Sequence, residues 1–169
     1  MSHTYYQNHV HIVFHTGKRT IRPCDLNKVH AYLATLAREN KIQCPVVGGV
    51  EDHIHLLGNF PLDKAPADIV RTLKAVSSRW LKTTNRCYSG FSWQQGYGYF
   101  SVSASIRKDV VHYIANQARH HTRETAEQEL ERLKRFHETA SNEIYIEDAE
   151  AYRSVIDACV NDIVYVPRR

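Results

Sequence analysis

Two histidines separated by one residue, His53 and His55, are the clearest candidates for metal chemistry in this chain. They fall in a predicted strand, where alternate side chains share a face, so both imidazoles point one way and Ile54 points the other. Two imidazoles about 7 Å apart on a rigid strand can share one divalent ion. The same spacing occurs at His9 and His11, and the pattern alone favours half-exposed histidines that bind nothing. If the first strand lies beside the third, all four imidazoles come near each other.

A tyrosine and an amide four residues apart, Tyr113 and Gln117, fall on the same side of a predicted helix. A deprotonated tyrosine oxygen can form a covalent intermediate, and a metal can polarise the phosphate that it attacks. Both residues lie at the edge of the apolar stripe, so a tyrosine packed at the margin of the core is the alternative. That predicted stripe consists of Val110, Val111, Ile114, Ala115 and Ala118.

A third feature is a basic helix face. Between residues 69 and 86 no acidic residue interrupts the cations, which fall within about 140° of the helical wheel. The cations of this face are Arg71, Lys74, Arg79, Lys82 and Arg86. A track for DNA phosphates and a solvated face are both compatible with this pattern. Three aromatic residues could stack on unpaired bases or belong to the core, namely Trp93, Tyr97 and Tyr99.

The elements that would position these residues follow from hydrophobic periodicity, which predicts the order β-α-β-β-α-β-α-α. The predicted strands are residues 5–15, 42–50, 53–60 and 97–103. The predicted helices are residues 26–39, 65 to the loop at 85–90, 106–120, and an acidic helix at 122–137. This order predicts an α+β fold, a ferredoxin-like (split βαβ) antiparallel sheet with helices on one face and extra C-terminal helices. We expect the open face of the sheet to carry the site.

Composition sets the broad class. A chain of 169 residues with 43% hydrophobic and 24% charged residues is typical of one globular domain. No run reaches the roughly 18 apolar residues of a membrane span, and the N-terminus lacks the apolar core of a signal peptide. Four scattered cysteines form no CxxC pair, which favours reduced thiols and a cytoplasmic location. Residues 1–90 contain 12 Lys and Arg against 6 Asp and Glu, so we expect a polyanionic partner.

Three sequence blocks occur in order, EDHIHLL, WQQGYGYFSVS and VVHYIANQARHH. Together they closely resemble the single-tyrosine transposases of the HUH superfamily, the enzymes of the smallest insertion sequences and their relatives associated with repetitive extragenic palindromes. The opening HIVFHTGKR also resembles the first strand of that family. The resemblance covers roughly residues 5–121, and it implies a transposase domain at 1–141 followed by a C-terminal tail at 142–169.

This resemblance implies roles for individual residues. The metal ligands would be His53, His55 and Gln117, holding Mg²⁺ or Mn²⁺, and the nucleophile would be Tyr113. His9 and His11 lie outside the family's metal motif. The implied partners are single-stranded hairpin DNA and a second copy of the chain in a homodimer, with no membrane. The implied location is the cytoplasm of a bacterium or archaeon, in association with the nucleoid.

The implied reaction cleaves and rejoins single-stranded DNA through a 5′-phosphotyrosine link. Because that link keeps the phosphodiester energy, no nucleotide cofactor is expected, and the chain has no GxxxxGK[ST] loop. The candidate DNA contacts are Lys18, Arg19, Arg71, Lys74, Arg79 and Lys82. Two alternatives are a replication initiator or relaxase of the same superfamily, and a non-catalytic nucleic-acid binder with a ferredoxin-like sheet.

Overall fold

Four antiparallel strands form one sheet in the computed structural model of the chain, which describes residues 5–120 and 126–140. The strands are β1 (His9–His15), β2 (Gln43–Gly49), β3 (His53–Asn59) and β4 (Gly98–Ser101). The helices are α1 (Leu26–Glu39), α2 (Pro66–Thr84), α3 (Arg107–Ala115), α4 (Gln117–His120) and α5 (Ala126–Ala140). Among these described helices, none has the length and apolar character needed to cross a bilayer.

The strand order is β2-β3-β1-β4, with every neighbouring pair antiparallel. Helix α1 connects β1 to β2 and α2 connects β3 to β4, so each crossover skips a strand, as in a split βαβ fold. The predicted α+β, ferredoxin-like sheet is therefore confirmed. The first strand does lie beside the third, with Val13 opposite His55 and His15 opposite His53.

The two faces of the sheet bury different cores. On one face, side chains of β1 and β3 such as Ile12, Ile54 and Leu56 pack against the apolar stripes of α1 and α2. On the other face, Leu57 packs with Ile114 of α3. The crossover helices thus share one face, as expected, and α3 covers part of the opposite face. That opposite face is the one toward which strand alternation directs His53 and His55.

The last two residues of β2 are glycines, and each stands where a larger residue would not fit. Gly49 has φ of 141°, a conformation that L side chains rarely adopt, and it begins the turn into β3. At Gly48 an added Cβ would lie 2.6 Å from the carbonyl oxygen of Ile114. The backbone of α3 therefore touches the sheet at Gly48.

The helix predicted at residues 106–120 is interrupted. Its first part, α3, ends before Asn116, whose N–H donates to the carbonyls of His112 and Tyr113. The predicted apolar stripe is wrong at its end, since Ala115 and Ala118 are exposed and Gln117 is only 1% exposed. The break at Asn116 changes the direction of the next residues, so continuous helical periodicity does not hold there.

The sheet, α1 to α4 and the site described below lie in the first of two compact units, which ends at Arg132. Helix α5 therefore contributes its first residues to this unit. The expected domain boundary after residue 141 and the tail at 142–169 lie outside the described residues. The predicted acidic helix at 122–137 corresponds to α5, apart from residues 122–125, which also lie outside them.

Candidate active site

The two histidines of β3 lie side by side on the sheet face that α3 partly covers. His53 and His55 are both fully buried, and their ring centroids are 4.9 Å apart. Every residue of β3 is buried, because helices cover both of its faces. The side chain of Gln117 reaches the same point from α4, with its Oε1 3.5 Å from Nε2 of His53. The structure therefore brings the three sequence-predicted ligands together.

A carboxylate from α5 completes this group. One oxygen of Glu129 lies 3.2 Å from Nε2 of His53, and the other lies 3.5 Å from Nε2 of His55. The second oxygen also accepts a 3.0 Å hydrogen bond from the amide of Gln117. Glu129 is only 2% exposed, so its charge is compensated by these buried neighbours and not by water.

The donor set suits a divalent ion. Ligand atoms of His53, His55 and Glu129 all lie within 4.8 Å of one another. Ligands bonded at about 2.0–2.2 Å and at tetrahedral angles to one ion would stand about 3.3–3.6 Å apart. The separations from the two oxygens of Glu129 to the imidazoles, 3.2 Å for His53 and 3.5 Å for His55, are close to this spacing. Imidazole nitrogen combined with amide and carboxylate oxygen is a mixed set that fits ions such as Mn²⁺.

The pKa values at this site show how strongly the buried groups depend on each other. Burial alone would raise the pKa of Glu129, but the imidazoles of His53 and His55 lower it to about 2. Burial alone would lower the pKa of His53, but Glu129 and Asp52 together raise it. Negative charge is therefore retained on Glu129, which is the state that a metal ligand needs.

A second layer of groups orients the two imidazoles. Nδ1 of His53 lies 2.6 Å from a carboxylate oxygen of Asp52, at the turn before β3. Nδ1 of His55 lies 2.9 Å from Nε2 of His11. With a proton on each Nδ1, Nε2 is the nitrogen of each β3 histidine that can bind an ion in place of a proton, which is the usual arrangement behind a metal-binding histidine. His11 thus contacts a candidate ligand, and His9 is absent from the described group that could hold a metal.

Tyr113 stands at the edge of this cluster. Its ring meets the ring of His55 edge-on, with centroids 5.7 Å apart, and it is half-buried. Its hydroxyl oxygen accepts a 3.0 Å hydrogen bond from the guanidinium of Arg132, whose Cζ lies 5.6 Å from the centre of the tyrosine ring. The tyrosine and the candidate ligands therefore belong to one site within a single chain.

The predicted DNA contacts on α2 lie elsewhere. The basic face belongs to α2, on the sheet face opposite the histidines, and the structure does not bring it to the site. Lys18, Arg19, Arg71, Arg79 and Lys82 are exposed, although Arg71 pairs with Asp68 and Arg19 donates to the carbonyl of Cys87. Lys74 differs from the others in being partly buried, and its ammonium donates to the backbone carbonyls of Gln94 and Gly96. Its pKa is lowered by burial.

Sequence reasoning missed Glu129 and Arg132. Both lie in the predicted acidic helix, which received no role in the sequence analysis, yet one reaches the histidines and the other reaches Tyr113. Their spacing of three residues puts them on one side of α5, which is the single local signal that could have paired them. The partners lie far away in the chain, so periodicity could not identify them.

Comparison with known proteins identifies the family. The model of the family described as "Transposase IS200 like" matches residues 4–117. A solved structure of a candidate transposase from Deinococcus radiodurans R1 is 21% identical, with a TM-score of 0.54, over 69% of this chain and 95% of that one. A REP-associated tyrosine transposase bound to a REP hairpin is 12% identical, with a TM-score of 0.43, over 68% of each chain. No curated protein matches significantly. Since the family model spans more than half of the sequence, the chain belongs to the IS200-like transposases.

Proposed function

We propose that this transposase cuts and rejoins single-stranded DNA with Tyr113 as its nucleophile. The observation that carries the proposal is the position of the Tyr113 ring, 5.7 Å from the ring of His55 and beside a buried His-His-Gln-Glu group. A tyrosine next to groups that can hold a divalent ion is the arrangement needed for covalent attack on a phosphate. Membership of the transposase family supports DNA as the substrate.

The covalent step exchanges one ester bond of the phosphate for another. The oxygen of Tyr113 forms a bond to the scissile phosphorus and gives up its proton to solvent. The bond from phosphorus to the 3′ oxygen breaks, and that oxygen leaves with the electron pair and takes up a proton. The products are a 5′-phosphotyrosine link and a free 3′-hydroxyl. Attack by a 3′-hydroxyl on the link reverses these changes and rejoins a strand, so no nucleotide cofactor is consumed.

The groups that would hold the metal are His53, His55, Gln117 and Glu129. An ion such as Mg²⁺ or Mn²⁺, when bound there, supplies positive charge that stabilises the negative charge developing on the phosphate. The protein's own part is to hold Nε2 of each histidine directed inward, toward Glu129. Asp52 and His11 do this through their contacts with the two Nδ1 atoms.

Hairpin DNA is the proposed substrate, with contacts from exposed cations at Lys18, Arg19, Arg71, Arg79 and Lys82. Of the six candidate DNA contacts, Lys74 is the least suited to bind a phosphate, since its ammonium already donates to backbone carbonyls. Because α2 and the histidines lie on opposite faces of the sheet, DNA that touches both must pass an edge of the sheet. The β4 edge offers Tyr97 and Tyr99, which are exposed and can stack on unpaired bases.

We also propose that the protein acts as a homodimer in the cytoplasm of a bacterium or archaeon. Tyr113 lies beside the histidines of its own chain, which supports a site built within each subunit. Mixing Tyr113→Phe with His55→Ala protein tests this point. We expect the mixture to stay inactive, whereas recovered activity would mean that subunits exchange their tyrosine helices.

The experiment that tests the function is a denaturing gel with end-labelled hairpin DNA from the region flanking the gene, in Mg²⁺. We expect a covalent protein–DNA adduct with the wild type and none with Tyr113→Phe, which keeps the ring volume and the fold. Tyr97→Phe and Tyr99→Phe are matched controls and should keep the adduct. Binding of the hairpin with no adduct from the wild type would indicate a non-catalytic binding protein.

A further inference from the structure

The guanidinium of Arg132 contacts the side-chain oxygen of Tyr113, the proposed nucleophile. One of its N–H groups donates to the hydroxyl oxygen of Tyr113 at 3.0 Å. Both side chains reach the solvent, since the arginine is exposed and the tyrosine is half-buried. A guanidinium has five donors in a planar fork and no acceptor, and that fork matches the oxygens of a phosphate.

Distance limits place the scissile phosphate near this arginine. A phosphorus poised for attack must lie about 3–3.5 Å from the tyrosine oxygen. Since the nitrogen of Arg132 lies 3.0 Å from the same oxygen, the two are separated by at most about 6.5 Å. The non-bridging oxygens project outward from phosphorus, so this limit is compatible with a hydrogen bond from the fork to one of them.

We propose that Arg132 is a catalytic residue that binds the non-bridging oxygens of the scissile phosphate while it holds the Tyr113 oxygen. This inference rests on the proposed function, because it takes Tyr113 as the nucleophile. The two contacts align the attacking oxygen with phosphorus, and the fixed positive charge stabilises the charge that grows on the phosphate. After cleavage the same fork contacts the phosphotyrosine and keeps it in place for rejoining.

The position of Arg132 also links it to the candidate metal group. It follows Glu129 by three residues on one side of α5, so a single helix delivers the carboxylate to the histidines and the guanidinium to the tyrosine. The phosphate would then lie between two positive centres, as in other phosphoryl-transfer sites that combine metal ions with an arginine.

The first test compares single-turnover rates of adduct formation on the labelled hairpin DNA in Mg²⁺. We expect Arg132→Gln to be slower than the wild type by about 100-fold, and Arg132→Lys to be intermediate because it keeps the charge but loses the fork. Arg38→Gln, which removes an exposed arginine from α1, is the matched control and should be unchanged. Mn²⁺ affinity and thermal unfolding should also stay unchanged in Arg132→Gln.

The second test separates a phosphate contact from mere support of the tyrosine. DNA affinity is measured in EDTA, where cleavage stops, with either a phosphate or a neutral methylphosphonate at the position mapped by wild-type cleavage. We expect the methylphosphonate to weaken binding by the wild type about 10-fold and to have little effect on Arg132→Gln. An equal loss in both proteins, or a wild-type cleavage rate in Arg132→Gln, would overturn the proposal for Arg132 alone. Failure of the wild type to form any adduct would overturn the proposed function and this inference with it.

Discussion

Nδ1 of His55 lies 2.9 Å from Nε2 of His11, a contact made across the paired strands β1 and β3. The two rings are also stacked, with centroids 5.1 Å apart and an angle of 21° between their planes. A ring held on one nitrogen and one face has a fixed orientation. The His-x-His pattern of the first strand therefore has a structural purpose, even though it resembles an unused copy of the metal motif.

Replacing this supporting histidine should weaken metal binding without removing a ligand. We expect His11→Phe to reduce Mn²⁺ affinity by about 10- to 100-fold, which is the usual effect of losing a partner behind a ligand. His9→Ala, two residues earlier on the same strand, is the control and should be unchanged. Calorimetric titration of metal-free protein measures both. Equal affinities for His11→Phe and the wild type would show that His55 is oriented by packing alone.

Loss of the Glu129 carboxylate should have a larger effect than loss of an exposed acid on the same helix. Glu129→Gln keeps the side-chain volume but removes the negative charge that faces His53 and His55. We expect Mn²⁺ affinity to fall at least 10-fold, since a charged ligand becomes neutral. Glu131→Gln is the matched control, because that residue is exposed. A Glu129→Gln protein with normal metal affinity would leave the histidines and Gln117 as the ligand set.

A methyl group at Gly48 should damage the site from a distance. In Gly48→Ala the new Cβ would meet the backbone oxygen of Ile114 at 2.6 Å, so α3 must move away from the sheet. We expect a stability loss of about 1–3 kcal/mol, together with weaker Mn²⁺ binding, because Gln117 follows directly after α3. Gly90→Ala is the control, since its Cβ would meet only the flexible tip of Arg19 at 3.1 Å. Thermal unfolding and metal titration would reveal whether the two effects occur together.

Two lysines of α2 should behave differently toward DNA. Lys82 is exposed, so Lys82→Ala should lower the slope of log affinity against log salt by about 1 with little change in stability. Lys74 anchors the carbonyls of residues 94 and 96, so Lys74→Ala should destabilise the protein by about 1 kcal/mol and leave the slope nearly unchanged. Fluorescence anisotropy over a salt series would distinguish them. Identical slopes for both variants would contradict these separate roles.

Acid stability should depend on a buried hydroxyl. Asp25 accepts a 2.7 Å hydrogen bond from Tyr88, and this bond and Arg22 lower the pKa of Asp25. A carboxyl whose pKa is lower when folded adds stability above its unfolded pKa of about 3.9, and that stability is lost as the pH falls through the folded pKa. Tyr88→Phe should therefore cost about 1–3 kcal/mol at pH 7, and less as the pH falls through the folded pKa of Asp25.

The matched control for this change is Tyr32→Phe. Tyr32 is partly buried and stacks on Trp80 with centroids 4.2 Å apart, which is a contact of the ring and not of the hydroxyl. Urea unfolding at several pH values measures both variants. A loss in Tyr88→Phe that does not change with pH would mean that the hydroxyl acts without Asp25.

The elements of the sheet could be predicted because their signals are local. Alternation placed His53 and His55 on one face, and the 3.6-residue period of α1 placed Leu33 and Ala37 in the core. The burial of Gln117 could not be predicted in this way, since it depends on the helix ending before Asn116. The contact of the Lys74 ammonium with Gln94 depends on the position of the loop before β4, which hydrophobic periodicity does not predict.

The order of the elements along the chain also sets the order in which function can arise during synthesis. All four strands and both crossover helices are encoded by residue 101, so the ribosome delivers a complete sheet first. The residues that close the site, from Tyr113 to Arg132, emerge afterwards. A nascent chain can therefore fold its scaffold before it holds the residues that complete the candidate site, which is whole only once the start of α5 has left the ribosome.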